Sequence, residues 1–365
     1  MADIFGIDSH KLIYHPQRTT QVLEAAGSWE KSRGVYPLYV EISPIGVCNH
    51  RCLFCAVDYI GYNTERLSTS LLKTRLAEMA RLGVKSVMFA GEGEPLLHKD
   101  MGEILHSARQ AGLDSAVTTN ATVLPPGFLE KGLPALSWIK ISINGGTPEG
   151  YRQIHQSKEG DFEKVIENMQ AMVLYKRRHN LTTVLGAQAL LLPENADQMG
   201  ELVEICRDLV GLDYLVIKPY SQHLFSETKR YEEIDYQSFL SLGDKLQSMS
   251  RPGFSVIFRA KTMEKYQQSD RYDRCYATPF LWAYIMANGT VSGCSAYLLD
   301  QRFEYGNIKE LTFQEIWEGE KRHQGWQFIQ TGLDIKNCRR NCRMDEINRY
   351  LHKITSGSVP HLNFI

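Results

Sequence analysis

The chain has 365 residues, 43% hydrophobic and 23% charged, with a formal net charge of −1, enough for two domains or one large α/β domain with an appendage. That composition argues against a nucleic-acid partner and against an acidic, disordered tail, and no apolar run approaches the roughly 20 residues that cross a membrane. Eight cysteines, with no charged-then-apolar export pattern between Met1 and His10, point to metal or catalysis in a reducing cytoplasm rather than to disulfides.

Residues 1–36 read as a polar lead-in with one helix near Gln21–Lys31, too short for a separate peptide-recognition domain. Leu38–Ile42 is β-rich, ends at Ser43-Pro44 and delivers the chain into a loop bearing Cys48, Cys52 and Cys55. Leu72, Leu76, Met79 and Leu82 mark a helical face that Gly83 stops. Strands follow at Ser86–Ala90, Ser115–Thr119, Trp138–Ile143, Val184–Leu191 and Tyr214–Lys218. Between them lie a helix around Ile104, Leu105 and Ala108, a Pro-rich connection, a helix near Asp161–Arg178 and an apolar stripe through Met199, Leu202, Val203, Cys206 and Leu209. Six strands alternating with helices over residues 37–220 predict an α/β fold, a parallel sheet with outer helices. The pattern alone fits a partial barrel and a doubly wound sheet equally, and in both the carboxyl ends of the strands build the site. Residues 221–274 form a bridge with a helix near Asp235–Ser250 and a strand near Phe254–Arg259. Over residues 275–365 the texture changes: Asn288-Gly289 signals a hairpin, and Cys275, Cys294, Cys338 and Cys342 are separated by 18, 43 and 3 residues.

Cys48, Cys52 and Cys55 stand in Cys-x3-Cys-x2-Cys spacing, with Phe54 just before the last. A loop of this kind can turn three thiolates toward one point. On a four-iron cluster, three thiolates leave one iron without a protein ligand and open to a substrate or cofactor; a zinc site is the alternative. The motif resembles the cluster loop of the radical S-adenosylmethionine (SAM) superfamily. The resemblance implies a partial (β/α)6 TIM-type barrel and a [4Fe-4S] cluster on these three cysteines, with SAM held at the open iron. It also implies cleavage of SAM to a 5'-deoxyadenosyl radical and an electron donor of the flavodoxin or ferredoxin type.

Gly91-Glu92-Gly93-Glu94-Pro95 follows a strand and resembles the family's GGEP element, which contacts the methionyl ammonium of SAM. Here Glu92 replaces the second glycine, and Glu94 is the favoured carboxylate; alone, the stretch is a strand-end turn. Thr118-Thr119-Asn120 and Ser142-Ile143-Asn144 end strands on the ligand-facing rim, where hydroxyl and amide groups could hold the ribose and carboxylate of SAM. The resemblance supports Ser142 and Asn144 in that role, makes Gln188 on the next strand plausible, and implies that Phe54 lends its backbone to adenine. Thr and Asn also simply end strands.

Four soft thiolates in the C-terminal set suit zinc or an iron–sulfur cluster. The arrangement is similar to the Twitch domain, the short form of the SPASM extension of radical SAM enzymes, which implies a second, fully ligated [4Fe-4S] cluster. Cys206 is left over: either a core residue or a hydrogen-atom donor to a substrate radical. Lys218, Tyr220, Gln222 and His223 follow the last strand and would sit over the barrel mouth, with Arg259 a weaker candidate. Arg339, Arg340 and Arg343, beside the last two cysteines, would offset cluster charge or be solvated. The pattern is nearest that of 2-deoxy-scyllo-inosamine dehydrogenase, which implies oxidation of a small polar substrate such as a carbohydrate, cyclitol or nucleotide sugar. Epimerisation with Cys206 as donor, peptide modification, and a zinc-stabilised binding protein are the competing expectations.

Overall fold

The computed structural model describes residues 4–266, 271–357 and 359–364. The alternating strands join into one ten-stranded sheet. Its strands are β1 (Tyr39–Ile42), β2 (Ser86–Phe89), β3 (Asp114–Thr119), β4 (Trp138–Ser142), β5 (Val184–Leu191), β6 (Tyr214–Pro219), β7 (Ser255–Phe258), β8 (Trp282–Ile285), β9 (Thr290–Ser292) and β10 (Glu304–Asn307). The order is β10-β9-β8-β1-β2-β3-β4-β5-β6-β7. From β8 through β1 to β7 every pairing is parallel, and β9 and β10 add an antiparallel edge. This is the partial barrel, with helices packed on its outer face.

Alternation of side chains decides which residues face the helices and which face the barrel interior. Val40, Ile42, Val87, Phe89, Ile139, Ile141, Leu215 and Ile217 enter the core shared with the helices, which include Thr69–Arg81, Met101–Gln110 and Asp161–Arg178. Their strand neighbours Tyr39, Glu41, Met88, Lys140, Ser142, Gln188, Lys218 and Tyr284 take the opposite face. The lower interior is apolar: Met88, Ala90 and Ala116 pack with Tyr39 and Trp138, and Tyr214, Val216 and Ile257 pack with Phe5 and Ile7. The lead-in therefore stops the bottom of the barrel, with the rings of Phe5 and Tyr214 5.1 Å apart.

Three features differ from the sequence reading. The strand in the bridge pairs with β6 as a seventh parallel strand, because Val256 and Phe258 add to the helix-side core. The first strand of the C-terminal hairpin pairs with β1, so the sheet runs without interruption into the C-terminal part. The N-terminal helix is also displaced, to Pro16–Ala25 with a short turn at Trp29–Ser32. Pro16 at its first position fixes the start, and Gly27 lies in the break. Among the described residues no helix is long and apolar enough to cross a membrane.

Arg322 anchors the C-terminal part to the lead-in. It is fully buried, donates to the carbonyls of Trp317 and Pro279 at 2.7 Å each within the C-terminal part, and reaches the lead-in through the Ser32 carbonyl at 3.3 Å and the Trp29 ring at 5.2 Å. Arg322→Met keeps the bulk and removes the donors. With charged hydrogen bonds worth about 1.5–3 kcal/mol each, unfolding free energy should fall by about 3 kcal/mol, read as a lower urea midpoint. An unchanged midpoint would contradict the anchor.

Candidate functional site

The cysteine loop leaves β1 at its carboxyl end and is fixed on three sides. Gly93 packs so tightly on it that a methyl group there would run into the carbonyl oxygens of Ile45 and Val47, and Glu94 N–H donates to the Val47 carbonyl at 2.8 Å. Asn120 at the end of β3 donates to Asn49 Oδ1 at 2.8 Å, and Asn49 donates to Thr122 Oγ1 at 2.7 Å. Leu53 and Arg51 donate backbone N–H groups to the carbonyls of Ile154 and His155. Burial pushes the Cys48 thiol up to about 11, and burial with the neighbouring Cys48 and Cys55 sulfurs pushes Cys52 well above the usual range. Three such sulfurs become thiolates together only beside positive charge, which an iron cluster provides.

Behind the loop stands His155, at the end of the helix Pro148–His155. Asn144 N–H donates to its Nε2 at 3.1 Å, so Nε2 is the acceptor and the ring proton sits on Nδ1. Nδ1 lies 3.4 Å from Cys52 Sγ and donates to it. Burial holds this imidazole neutral. Sequence reasoning missed His155; no spacing rule links it to a cysteine 103 residues earlier.

The sequence-nominated SAM contacts divide into two groups. Glu94 is buried and accepts from Leu96 N–H at 2.9 Å, Thr119 Oγ1 at 2.5 Å and Asn120 N–H at 2.7 Å. A carboxylate has about four acceptor sites, so one remains for a ligand. Asn120 and Asn144 turn their side chains into the protein: Asn144 Oδ1 accepts from Leu190 N–H at 2.6 Å. Ser142 and Gln188 face the barrel interior and bond each other at 2.9 Å, leaving Gln188 Oε1 without a protein partner. Phe54 packs edge-on to His155, with ring centroids 5.5 Å apart. Glu92 occupies a different place from Glu94. Its Oε1 accepts from Ala287 N–H at 3.1 Å in the β8–β9 turn, and burial pushes its carboxyl up to about 7. Gly91, at φ +125°, lets the Tyr284 hydroxyl approach the backbone.

The C-terminal cysteines gather under Cys294, whose buried thiol is pushed up further by Cys275, Cys342 and Cys338. Among the described residues, the one His/Cys/Asp/Glu group whose ligand atoms all lie within 4.8 Å is His50, Cys52 and His155. A tetrahedral zinc with bonds of about 2.3 Å would hold its sulfurs only about 3.8 Å apart. The C-terminal sulfurs form no such close group among the described residues. The three arginines of this loop do more than face solvent, although Arg340 and Arg343 are exposed and Arg339 is half-buried. Arg339 donates to Ser221 at 2.7 and 3.0 Å, Arg340 to the Tyr266 carbonyl at 2.7 Å, and Arg343 pairs with Glu41 at 3.0 Å. They latch the loop onto the barrel mouth.

The proposed catalytic candidates separate. Cys206 lies in the helix-side core, on the far side of the sheet from the interior, with its thiol pushed up to about 12 by burial; it is a packing residue and not a donor to a substrate radical. His223 is held by Ser295 O at 2.9 Å and by Phe225 N–H, and burial lowers it to about 4, so it ties the two parts together as a neutral ring. Tyr220 is buried against Tyr231 and carries the backbone contacts of Tyr236 and Tyr266. Gln222 donates to the Thr228 carbonyl at 2.9 Å. Arg259 pairs with Asp8 at 3.0 Å. Lys218 faces the interior without a side-chain partner, and Tyr220 Oη and Gln222 Oε1 are also buried without a protein partner. Sequence reasoning missed Lys140 and Tyr284, although a lysine alternating with isoleucines in β4 was a sign of an inward-facing charge.

Sequence comparison matches the radical SAM superfamily over residues 42–206 and the SPASM iron–sulfur cluster-binding domain over residues 275–343. The chain is 26% identical over 199 residues to GTP 3',8-cyclase of Chlorobaculum tepidum, covering 53% of this chain and 57% of that protein. It thus spans little more than half the length of that cyclase. It is 22% identical over 284 residues to AdoMet-dependent heme synthase of Methanosarcina barkeri, covering 74% and 79%. Among solved structures, Streptococcus suis SuiB bound to precursor peptide SuiA superposes with a TM-score of 0.63 at 17% identity, over 90% of this chain and 75% of that one. That likeness concerns the fold.

The His155 hydrogen bond has a measurable consequence. An N–H donated to a ligand sulfur stabilises the more negative, reduced cluster and raises its potential. In His155→Phe the cluster whose electron paramagnetic resonance signal responds to SAM should have a more negative midpoint potential than wild type, and the other cluster should not move. His155→Gln, which keeps a donor, should recover part of the difference. An unchanged potential in His155→Phe would contradict the bond.

Proposed function

Because the chain belongs to the radical SAM superfamily, with a C-terminal SPASM-type domain and SAM and two [4Fe-4S] clusters as cofactors, we propose that it oxidises a small polar substrate inside the barrel. Carbohydrates, cyclitols and nucleotide sugars are the substrate class of this reading. The observation that carries it is the placement of two cysteine sets around one polar barrel mouth. Ser226, in the segment after β6, donates to the Cys55 carbonyl at 3.2 Å, and His223 of that segment bonds Ser295 beside Cys294.

When bound, SAM and the first cluster supply a 5'-deoxyadenosyl radical. Cys48, Cys52 and Cys55 would hold that cluster, and the remaining acceptor site of Glu94 would take the ammonium of SAM. Ser142 and Gln188 would orient its polar groups from β4 and β5. Asn120 and Asn144 act one step back: they hold the loop and His155 in place. Cys275, Cys294, Cys338 and Cys342 would hold the second cluster with every iron ligated, suited to receiving an electron rather than binding substrate. Oxidation is favoured over quenching because the one cysteine outside the two sets, Cys206, is sealed in the core. A flavodoxin- or ferredoxin-type protein would reduce the first cluster.

Replacing Cys48, Cys52 and Cys55 together by alanine should abolish 5'-deoxyadenosine formation and leave about four irons per chain in the C-terminal site. Undiminished SAM cleavage would defeat the assignment of the first site, and a variant holding only zinc would defeat that of the second.

A further inference from the structure

The barrel interior holds more positive charge than its own carboxylates neutralise. Lys140 on β4 and Lys218 on β6 face inward, since Ile139, Ile141 and Ile217 beside them fill the helix-side core. β5 separates the two strands, with Lys140 opposite Gly186 and Lys218 opposite Leu190. Among the described residues neither ammonium has a hydrogen-bond acceptor or a carboxylate partner; the contact made by Lys140 is with the Trp138 ring, 5.2 Å away. Arg259, Arg339 and Arg343 bear on the same space and add to the repulsion. The carboxylates near them are committed: Glu41 to Arg343 and Asp8 to Arg259. Glu92, pushed up to about 7, supplies only part of a charge. Burial, and then the neighbouring cations, lower Lys140 to about 8 and Lys218 well below its usual value. Burial thus favours their neutral amines when the cleft is empty, and an anion placed beside them would hold both in the charged form, the attraction being strong in a low-dielectric cleft. Two buried polar atoms without protein partners, Tyr284 Oη and Gln188 Oε1, belong to the same inward face.

We propose, building on the function above, that the substrate carries an oxyanion, a carboxylate or a phosphate, which docks inside the barrel between Lys140 and Lys218. Sugar acids and sugar phosphates are then substrates of the right kind, and neutral sugars are not. The lysines supply point charges without a fixed fork, so either oxyanion fits, with the Tyr284 hydroxyl as a further donor.

The test is anaerobic calorimetry on the reconstituted enzyme at saturating SAM, titrated with glucose 6-phosphate, glucuronate and glucose. At least one charged sugar should bind tenfold or more tightly than glucose, and which one does so separates phosphate from carboxylate. Lys140→Met and Lys218→Met, compared at equal iron content, should each lose that advantage, and Lys140→Arg should keep it. The inference is overturned if no charged sugar outbinds glucose, if the double methionine variant keeps the preference, or if the preference is present only without SAM. Formation of 5'-deoxyadenosine by the same wild-type preparation keeps the two readings apart. Normal SAM cleavage without an anion preference defeats this inference alone, and absence of SAM cleavage defeats the proposed function whatever the sugars do.

Discussion

Three thiols packed into one half-buried loop cannot all ionise unless positive charge is held among them, and the architecture around the loop follows from that constraint. Burial raises each thiol above its usual range, so an empty loop favours the protonated form and a loaded one the thiolates. The protein gives this loop little freedom. Gly93 lies against its backbone, Asn120 bonds Asn49, and the helix ending at His155 receives two of its amides. A single path therefore runs from the rim of β4, through Asn144 and the imidazole of His155, to the sulfur of Cys52.

The second cysteine set is bound to the barrel through charge and sheet together. β8 extends the parallel sheet beside β1, and the loop between Cys338 and Cys342 reaches across the mouth. Arg343 reaches Glu41 on β1, and Arg339 reaches Ser221 after β6. The same arginines raise the positive charge of the interior. A latch for one loop thus becomes part of the environment that a substrate meets, and an anionic substrate would relieve the crowding of cations.

Much of this was readable from the residues. Each of the six barrel strands falls within a residue or two of its expected span, because alternating β-branched and apolar residues bounded by glycine leave few choices. The cysteine sets were readable because spacing alone brings thiols together. Functional detail was harder. Glu94 and Asn120 were nominated for ligand contacts, yet most of their hydrogen-bonding capacity goes to fixing the loop. His223 and Tyr220, plausible over a barrel mouth, are held in packing and backbone contacts. The important side chains that escaped notice, His155, Lys140 and Tyr284, depend on tertiary placement: a histidine at a helix end, a lysine in the middle of a strand, and a tyrosine on a strand reached from far along the chain.

The most direct measurement is iron-edge anomalous diffraction from crystals grown anaerobically with SAM. The account calls for two tetranuclear iron centres in each chain. One would be held by Cys48, Cys52 and Cys55 with its fourth iron against the amino and carboxylate groups of SAM, the other by Cys275, Cys294, Cys338 and Cys342 with no open iron. A single iron centre, a zinc-edge signal in the C-terminal site, or SAM bound away from the first cluster would contradict it.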